Sequence, residues 1–268
     1  IKQQHKDQFS FFNKKFSEID KIKIENCKIK AVIFDLGYSY TQIKDPKKGL
    51  SFESTGALNM RLGLNNFSAD DVVNKLDQKD LELIFKYFGE EKDSKIISKK
   101  IIKQRIKSKL NTQKLVSIIN SVKKKSGRTH NATKIFQAIR IFVNKEISEL
   151  IYGLIKSAKI LDIDGKICVV SFHSIEDKIV KYFFSNFSKS RANPSRYLPE
   201  EKDINLLLFE KNTNRIIKPS AEEVSKNFSS RSAKLRFAVR SKNKFSYPSD
   251  LTVKFKKYLN LEAMNVKN

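Results

Sequence analysis

The chain has 268 residues, enough for one large domain or a domain carrying a sizeable insertion. Hydrophobic residues make up 40% of it and include 20 Phe, which supplies a real core and excludes global disorder. The 54 basic residues outnumber the 29 acidic ones and leave a net charge of +25. That surplus favours a polyanionic partner, because Lys and Arg displace condensed counterions from phosphates, but it does not separate RNA from DNA.

Cys27 and Cys168 lie far apart with no CxxC spacing. They are expected to be buried thiols of a reducing compartment rather than a disulfide or a zinc site. No apolar run reaches the roughly 18 residues needed to span a bilayer, and no segment resembles a signal peptide. No membrane partner is expected, and the expected location is cytoplasmic. The first residue is Ile1 rather than Met, which points to a natural start further upstream.

In chain order, the apolar run 30–37 (KAVIFDLG) closes on Asp35 and Gly37, as a buried parallel strand does where it meets a loop. Leu81, Ile84, Phe85 and Phe88 follow helical spacing, with Asp77 as N-cap and Gly89 as the stop. The Lys-rich stretch 95–110 and Lys123–Lys125 fit either RNA phosphate contacts or a solvated helix face. Phe136, Ile139, Val143, Ile147, Leu150 and Leu154 predict one long helix from about 132 to 160. On its opposite side Gln137, Arg140 and Asn144 form a polar face that either lines a crevice or meets solvent.

A second buried strand is predicted at Lys166–Phe172, after the turn Asp164-Gly165. A helix then opens at His173-Ser174-Ile175-Glu176-Asp177, with Ser174 as expected N-cap and Ile175, Ile179 and Phe183 as its buried stripe. Leu206–Phe209 and the alternation of Leu235, Phe237 and Val239 predict two more strands, with a Ser220/Glu223 capping box between them. Residues 241–268 are expected to be a basic surface tail.

A parallel crossover needs only a dozen or more residues, whereas about 130 separate the first two strands. Residues 43–130 are therefore predicted as an inserted helical domain, with 1–42 and 131–240 forming the two parts of an α/β core. Ligands of such sheets bind outside the carboxyl ends of the strands, so Asp35 and His173 should face one crevice.

Several segments together carry a family resemblance. They are FDLGYSYTQIKDPKKGLSF at 34–52, LNMR at 58–61, SADDVV at 68–73, FKYFGEE at 85–91 and HNATKIFQAIRIFVNKEISEL at 130–150. VVSFHSIEDKIVKYFF at 169–184 and KPSAEEVSKNFSSRSAKLR at 218–236 complete the set. In this order, over about 220 residues, they resemble the RsmH (MraW) family of bacterial enzymes that methylate a cytidine of 16S rRNA at N4. The resemblance implies a Rossmann-like class I methyltransferase sheet with an inserted helical domain, S-adenosyl-L-methionine as cofactor, and 16S rRNA of the small ribosomal subunit as partner.

It assigns cofactor contacts to Phe16, Asp35 and Gln42. Asp35 at a strand end suits an amine, and Phe16 suits packing on adenine. Around the reacting base, His173 is a candidate proton acceptor or base-binding donor and Asn144 a second candidate. Arg231, Lys234 and Arg236 are candidate RNA contacts, the last two forming a phosphate-facing row on one side of a strand. His130 and His173 lack metal-ligand spacing, so no metal is expected. The chain departs from the family pattern at Ser39-Tyr40-Thr41, Asn59 and Asn131.

Two other classes remain as alternatives: a non-catalytic RNA-binding protein that kept the fold, and a DNA cytosine-N4 methyltransferase. The second is disfavoured because the strand-end loop reads Asp35-Leu36-Gly37-Tyr38 rather than Ser/Asp-Pro-Pro-Tyr. The family's Gly-Gly-His cofactor loop and its ribose-binding acid belong upstream of residue 1, together with the first strands of the sheet, and no G-x-G-x-x-G-like loop occurs in these residues. The 268 residues alone are therefore expected not to methylate RNA; normal turnover in a methyltransferase assay would contradict this.

Overall fold

A computed structural model describes residues 9–23, 27–54, 56–63, 67–123, 130–188, 207–213 and 215–264. In chain order its elements are β1 (Ala31–Asp35), α1 (Tyr40–Lys44), α2 (Ala69–Lys75), α3 (Gln78–Phe88), α4 (Ser94–Arg105), α5 (Thr112–Val122), α6 (Thr133–Asn144) and α7 (Glu146–Ile160). They continue with β2 (Lys166–Ser171), α8 (Ser174–Asn186), β3 (Phe209–Asn212), α9 (Ala221–Lys226), β4 (Lys234–Arg240), α10 (Ser249–Lys254) and α11 (Lys256–Glu262). Short 3-10 turns cover Phe16–Lys21 and Phe228–Ser232. The chain divides into two compact units, Ile1–Leu36 with Glu149–Val253, and Gly37–Ser148 with Lys254–Asn268.

The first unit is built on a mixed sheet of order β1-β2-β4-β3. β1 pairs with β2 in parallel, from Ala31 opposite Lys166 to Asp35 opposite Val170, and this is the strand pair expected from the two apolar runs. Val32 and Phe34 are buried while Ile33 between them is 73% exposed, so β1 packs through one face. β4 pairs antiparallel with both β2 and β3. Phe209 at the start of β3 meets Phe183 and Phe184 of α8 edge-on, with ring centroids 5.3 and 5.4 Å away, which fixes that helix on the sheet. Strand β3 thus begins at Phe209, where the predicted strand ended; Leu206 lies outside the described residues.

The alternation in β4 runs opposite to its apolar pattern. Leu235, Phe237 and Val239 are half-buried, while Arg236, Ala238 and Arg240 are buried. Arg240 donates to the carbonyls of Ala158, Leu208, Ser241 and Asn243, tying the end of α7 to the segments that flank the sheet edge. Four carbonyl acceptors satisfy the guanidinium where no carboxylate is needed. The cysteines also differ from expectation: Cys27 is exposed and Cys168 half-buried, because β2 turns Cys168 to the face opposite its buried Ile167 and Val169.

The second unit is helical. Leu81, Ile84, Phe85 and Phe88 of α3 are fully buried against α4 and α6, as their spacing predicts. Asp77 caps α3 through the Asp80 N–H at 2.8 Å. Gly89 ends the helix for a steric reason: a Cβ there would lie 2.7 Å from the carbonyl oxygens of Phe85 and Lys134. The helix predicted across 132–160 is broken at Lys145, whose φ of 52° is left-handed. Residues 241–264, expected to form a surface tail, are largely helical and bury Leu251, Phe255 and Leu261.

The break and the tail explain one another. Restarting a helix at Glu146 leaves first-turn N–H groups without acceptors. Glu262 of α11 supplies them, accepting from the N–H groups of Ile147 at 3.0 Å and Ser148 at 2.7 Å, and from the Ser148 hydroxyl. Arg140 of α6 forks onto Glu146 at 2.8 and 2.9 Å and clasps the break from the other side. Burial pushes the Glu262 carboxyl up to about 8 against the pull of its three donors, and the Glu146 charge adds to the rise.

A carboxyl raised in the folded state binds a proton that the unfolded chain has lost, so stability falls as pH rises between about 4.5 and 8 and is level above. Glu262→Gln should remove this slope, at most roughly 1.4 kcal/mol per pH unit. At pH 5, where Glu262 is still protonated, the neutral amide keeps one carbonyl acceptor and should cost only about 1 kcal/mol. Urea midpoints across pH 5–8 check this; an undiminished slope in the variant would refute it.

Candidate active-site end of the sheet

The parallel register carries β1 and β2 out of the sheet side by side. Leu36 N–H still bonds the Val170 carbonyl at 3.1 Å, so exposed Asp35 and the Ser171-Phe172-His173 loop leave at one end of the first unit. The two candidates named from strand ends are therefore on the same end. Glu176, on the first turn of α8, organises the loop. Its Oε2 accepts from the N–H groups of Phe172 at 2.8 Å and His173 at 3.2 Å. Glu176 is 4% exposed, and sequence reasoning saw it only as part of a helix start.

The N-cap of α8 is His173, not Ser174. Its Nδ1 accepts from Glu176 N–H at 3.5 Å, completing a reciprocal capping box of the His-x-x-Glu type. Nε2 lies 3.0 Å from Glu176 Oε1, though poorly aligned for a hydrogen bond, and the side chain is 9% exposed. Both ring nitrogens are thus turned onto the first turn of the residue's own helix. That arrangement fixes the loop that follows β2.

Phe16 opens the 3-10 turn Phe16–Lys21 and meets Phe34 edge-on, with centroids 5.4 Å apart. It is 43% exposed, so part of its ring is open beside β1. Gly153 of α7 makes room, since a Cβ there would lie 3.0 Å from Phe16 Cβ and 3.1 Å from a Phe34 ring carbon. Glu149 accepts the Ser17 N–H at 3.0 Å, and Lys156 pairs with Asp20 at 3.1 Å, which fastens the turn to α7.

Within the helical unit, Gln42 is the N3 residue of α1. Its side-chain oxygen accepts the Ser39 N–H at 3.1 Å, and Ser39 Oγ accepts the Gln42 N–H at 3.3 Å. The polar face of α6 is hydrogen-bonded within the helical unit. Gln137 donates to the Phe88 carbonyl at 3.3 Å, and Arg140, paired with Glu146, lies 4.5 Å over the Tyr38 ring. Asn144 donates to the carbonyls of Met60 (2.8 Å) and Arg140 (2.9 Å) and accepts the Leu62 N–H at 2.8 Å. Its amide holds the 60–62 loop, in which Met60 has a φ of 57°.

The expected phosphate-facing row on β4 is not formed. Arg236 is 4% exposed and donates through Nε to Asp177 of α8 at 2.8 Å, and Lys234 pairs with the same carboxylate at 3.5 Å. The sheet face that bears them is covered by α8, which sequence alone does not disclose. Arg231 by contrast is exposed, its guanidinium 4.3 Å over the Phe228 ring.

An α/β sheet with parallel strands ending at one rim, and helical insertion between them, is consistent with a methyltransferase. Residues 1–241 match the MraW methylase family, and the chain belongs to it. Among curated relatives, the chain is 43% identical over 229 residues to Ribosomal RNA small subunit methyltransferase H of Bartonella grahamii (strain as4aup), covering 84% of this chain and 68% of that protein. The same-named proteins of Rickettsia bellii (strain OSU 85-389) and Rickettsia prowazekii (strain Madrid E) are 40% and 38% identical over 244 residues, covering 90% of this chain and 79% of each.

Burial pushes the Asp177 carboxyl up, but the Arg236 hydrogen bond and charge, with Lys234, more than offset it and hold the group below its usual range. A lowered carboxyl contributes stability that is present above the ordinary carboxylate range and is lost as pH falls through the lowered value. Arg236→Met should cost about 1–3 kcal/mol by leaving the Asp177 carboxylate with Lys234 as its remaining cation, and Arg236→Met with Asp177→Leu should recover most of it. Urea unfolding of the two variants checks this, and a double variant as unstable as the single one would refute it.

Proposed function

We propose that this protein serves the S-adenosyl-L-methionine-dependent methylation of N4 of a cytidine in 16S rRNA of the small ribosomal subunit, in the cytoplasm, the 268 residues alone being inactive. Membership of the MraW methylase family across residues 1–241 carries the reading. The names of the relatives supply the ribosomal substrate, and the net charge of +25 suits an RNA partner. Among the described residues no helix is long and apolar enough to cross a membrane.

The residues present fit such a cofactor. Asp35 puts an exposed carboxylate at a strand end, where it would accept hydrogen bonds from an amine or hydroxyl, and Phe16 offers a half-open ring for an adenine face. The bound cofactor supplies an activated methyl on a sulfonium. N4 of cytosine is a weak nucleophile because its lone pair is delocalised into the ring, so the protein's task is to hold it in line and release its proton.

In this reading His173 and Asn144 are positioning residues. His173 fixes the loop after β2 through its cap and Glu176, and Asn144 fixes the 60–62 loop. Arg231, Lys234 and the lysines along α4, in the inserted helical part, supply the positive potential that a phosphate backbone meets.

The test is genetic and chemical. Deleting the gene should remove one N4-methylated cytidine from 16S rRNA, read by nuclease digestion and mass spectrometry, and Asp35→Ala at the chromosomal locus should do the same. Persistence of the modified nucleoside in the deletion strain would overturn the proposal. RNA binding with the modification unchanged would favour the non-catalytic alternative.

A further inference from the structure

β4 runs antiparallel to β2, so its first residue, Lys234, stands opposite the last residue of β2, Ser171. The 3-10 turn Phe228–Ser232 leads directly into β4. It therefore lies at the same end of the sheet as Asp35 and the His173 loop, within the same compact unit. On this turn Phe228 is 69% exposed. Asn227 caps the turn by accepting the Ser229 N–H at 3.2 Å, and buried Ser230 donates to the Asn227 carbonyl at 2.8 Å, so the ring projects from a fixed backbone.

Arg231 covers one side of that ring. Its guanidinium carbon sits 4.3 Å from the ring centroid, and its Nη1 donates 3.1 Å to the Phe228 carbonyl. Among the described residues no acid pairs with it. The result is a preorganised pair: an aromatic face largely open to solvent, with a planar cation clasped to its back. The ring fills no part of the core, and a single exposed ring is too small for a protein-docking patch. An aromatic face joined to an unneutralised guanidinium matches an unpaired nucleobase with its phosphate.

We infer that Phe228 and Arg231 form a stacking platform for an unpaired base of the substrate RNA, next to the nucleotide held at the strand ends. The platform rests on the RNA methyltransferase reading and deepens it by naming how the strand is gripped. RNA that is read in single-stranded form splays its bases onto aromatic rings and Arg planes, and the phosphates between them follow basic side chains.

Fluorescence anisotropy with the full chain and a short fluorescein-labelled single-stranded RNA, repeated over a salt series, tests it. Phe228→Ala should weaken binding about 5- to 100-fold without changing the salt slope, because stacking releases no counterions. Phe228→Trp should restore affinity, whereas Phe228→Leu, equally apolar but without a ring, should remain weak. Arg231→Ala should weaken binding and lower the slope by about 0.7. Phe228→Ala binding as tightly as the unsubstituted chain, or Phe228→Leu restoring affinity as well as Phe228→Trp, would overturn the platform alone. No RNA binding by the unsubstituted chain would overturn both the platform and the function it rests on.

Discussion

The register between β1, β2 and β4 is the constraint from which the candidate site follows. Pairing Asp35 with Val170 aligns the ends of two parallel strands, and pairing Ser171 with Lys234 brings the beginning of an antiparallel strand to the same rim. A slip of one residue in either ladder would turn every side chain to the opposite face. It would expose Phe34, bury Ile33 and pull Arg236 away from Asp177. The rim thus collects a carboxylate, an imidazole-capped helix start and an aromatic turn from three separate stretches of sequence.

Buried polar and charged side chains tie distant elements together in the sheet and in the helical unit. Arg236 meets Asp177, Arg240 meets four carbonyls, and Glu262 meets two backbone N–H groups and a hydroxyl. Each is satisfied by groups brought from a distant element, so none adds stability until the surrounding packing has formed. Such contacts select one arrangement among several that a Phe- and Ile-rich core would tolerate. The surplus positive charge of the chain is therefore not all available to a partner: two arginines of β4, Arg236 and Arg240, are structural.

The elements were largely legible from local pattern. The strand runs ending at Asp35 and before His173 and the Asp77 cap stand where spacing put them, and of the Ser220/Glu223 box the Ser220 half, accepting the Glu223 N–H, is formed. What stayed hidden depends on tertiary partners. No Gly or Pro marks the break at Lys145, because the break is stabilised by Glu262 more than a hundred residues away (|i−j| of 115 to Ile147). The helical tail was missed because its apolar residues are spread over two short helices amid lysines. The polarity of β4 misled for the same reason: alternation identifies a strand but does not say which face α8 will cover. The shared rim of Asp35 and the His173 loop was readable from the strand ends. Glu176 and Phe228 were not, the one sitting inside an ordinary capping pattern and the other in a stretch read only for its charges.

The state of His173 bears on how a site of this kind works. A histidine whose Nδ1 caps its own helix and whose Nε2 faces a buried carboxylate contributes rigidity to the loop that follows β2. Glu176 has already consumed the N–H groups of Phe172 and His173, so the same loop offers no backbone cradle for an anion. Both facts suit a transfer in which alignment of nucleophile and methyl donor matters more than stabilising a developing negative charge. In N4 methylation the nitrogen becomes more acidic as the bond forms, and water or phosphate can take its proton once geometry is set. A rim made stiff by a cap, an ion pair and two pairing ladders, with an exposed ring at its edge, suits the proposed transfer in that respect.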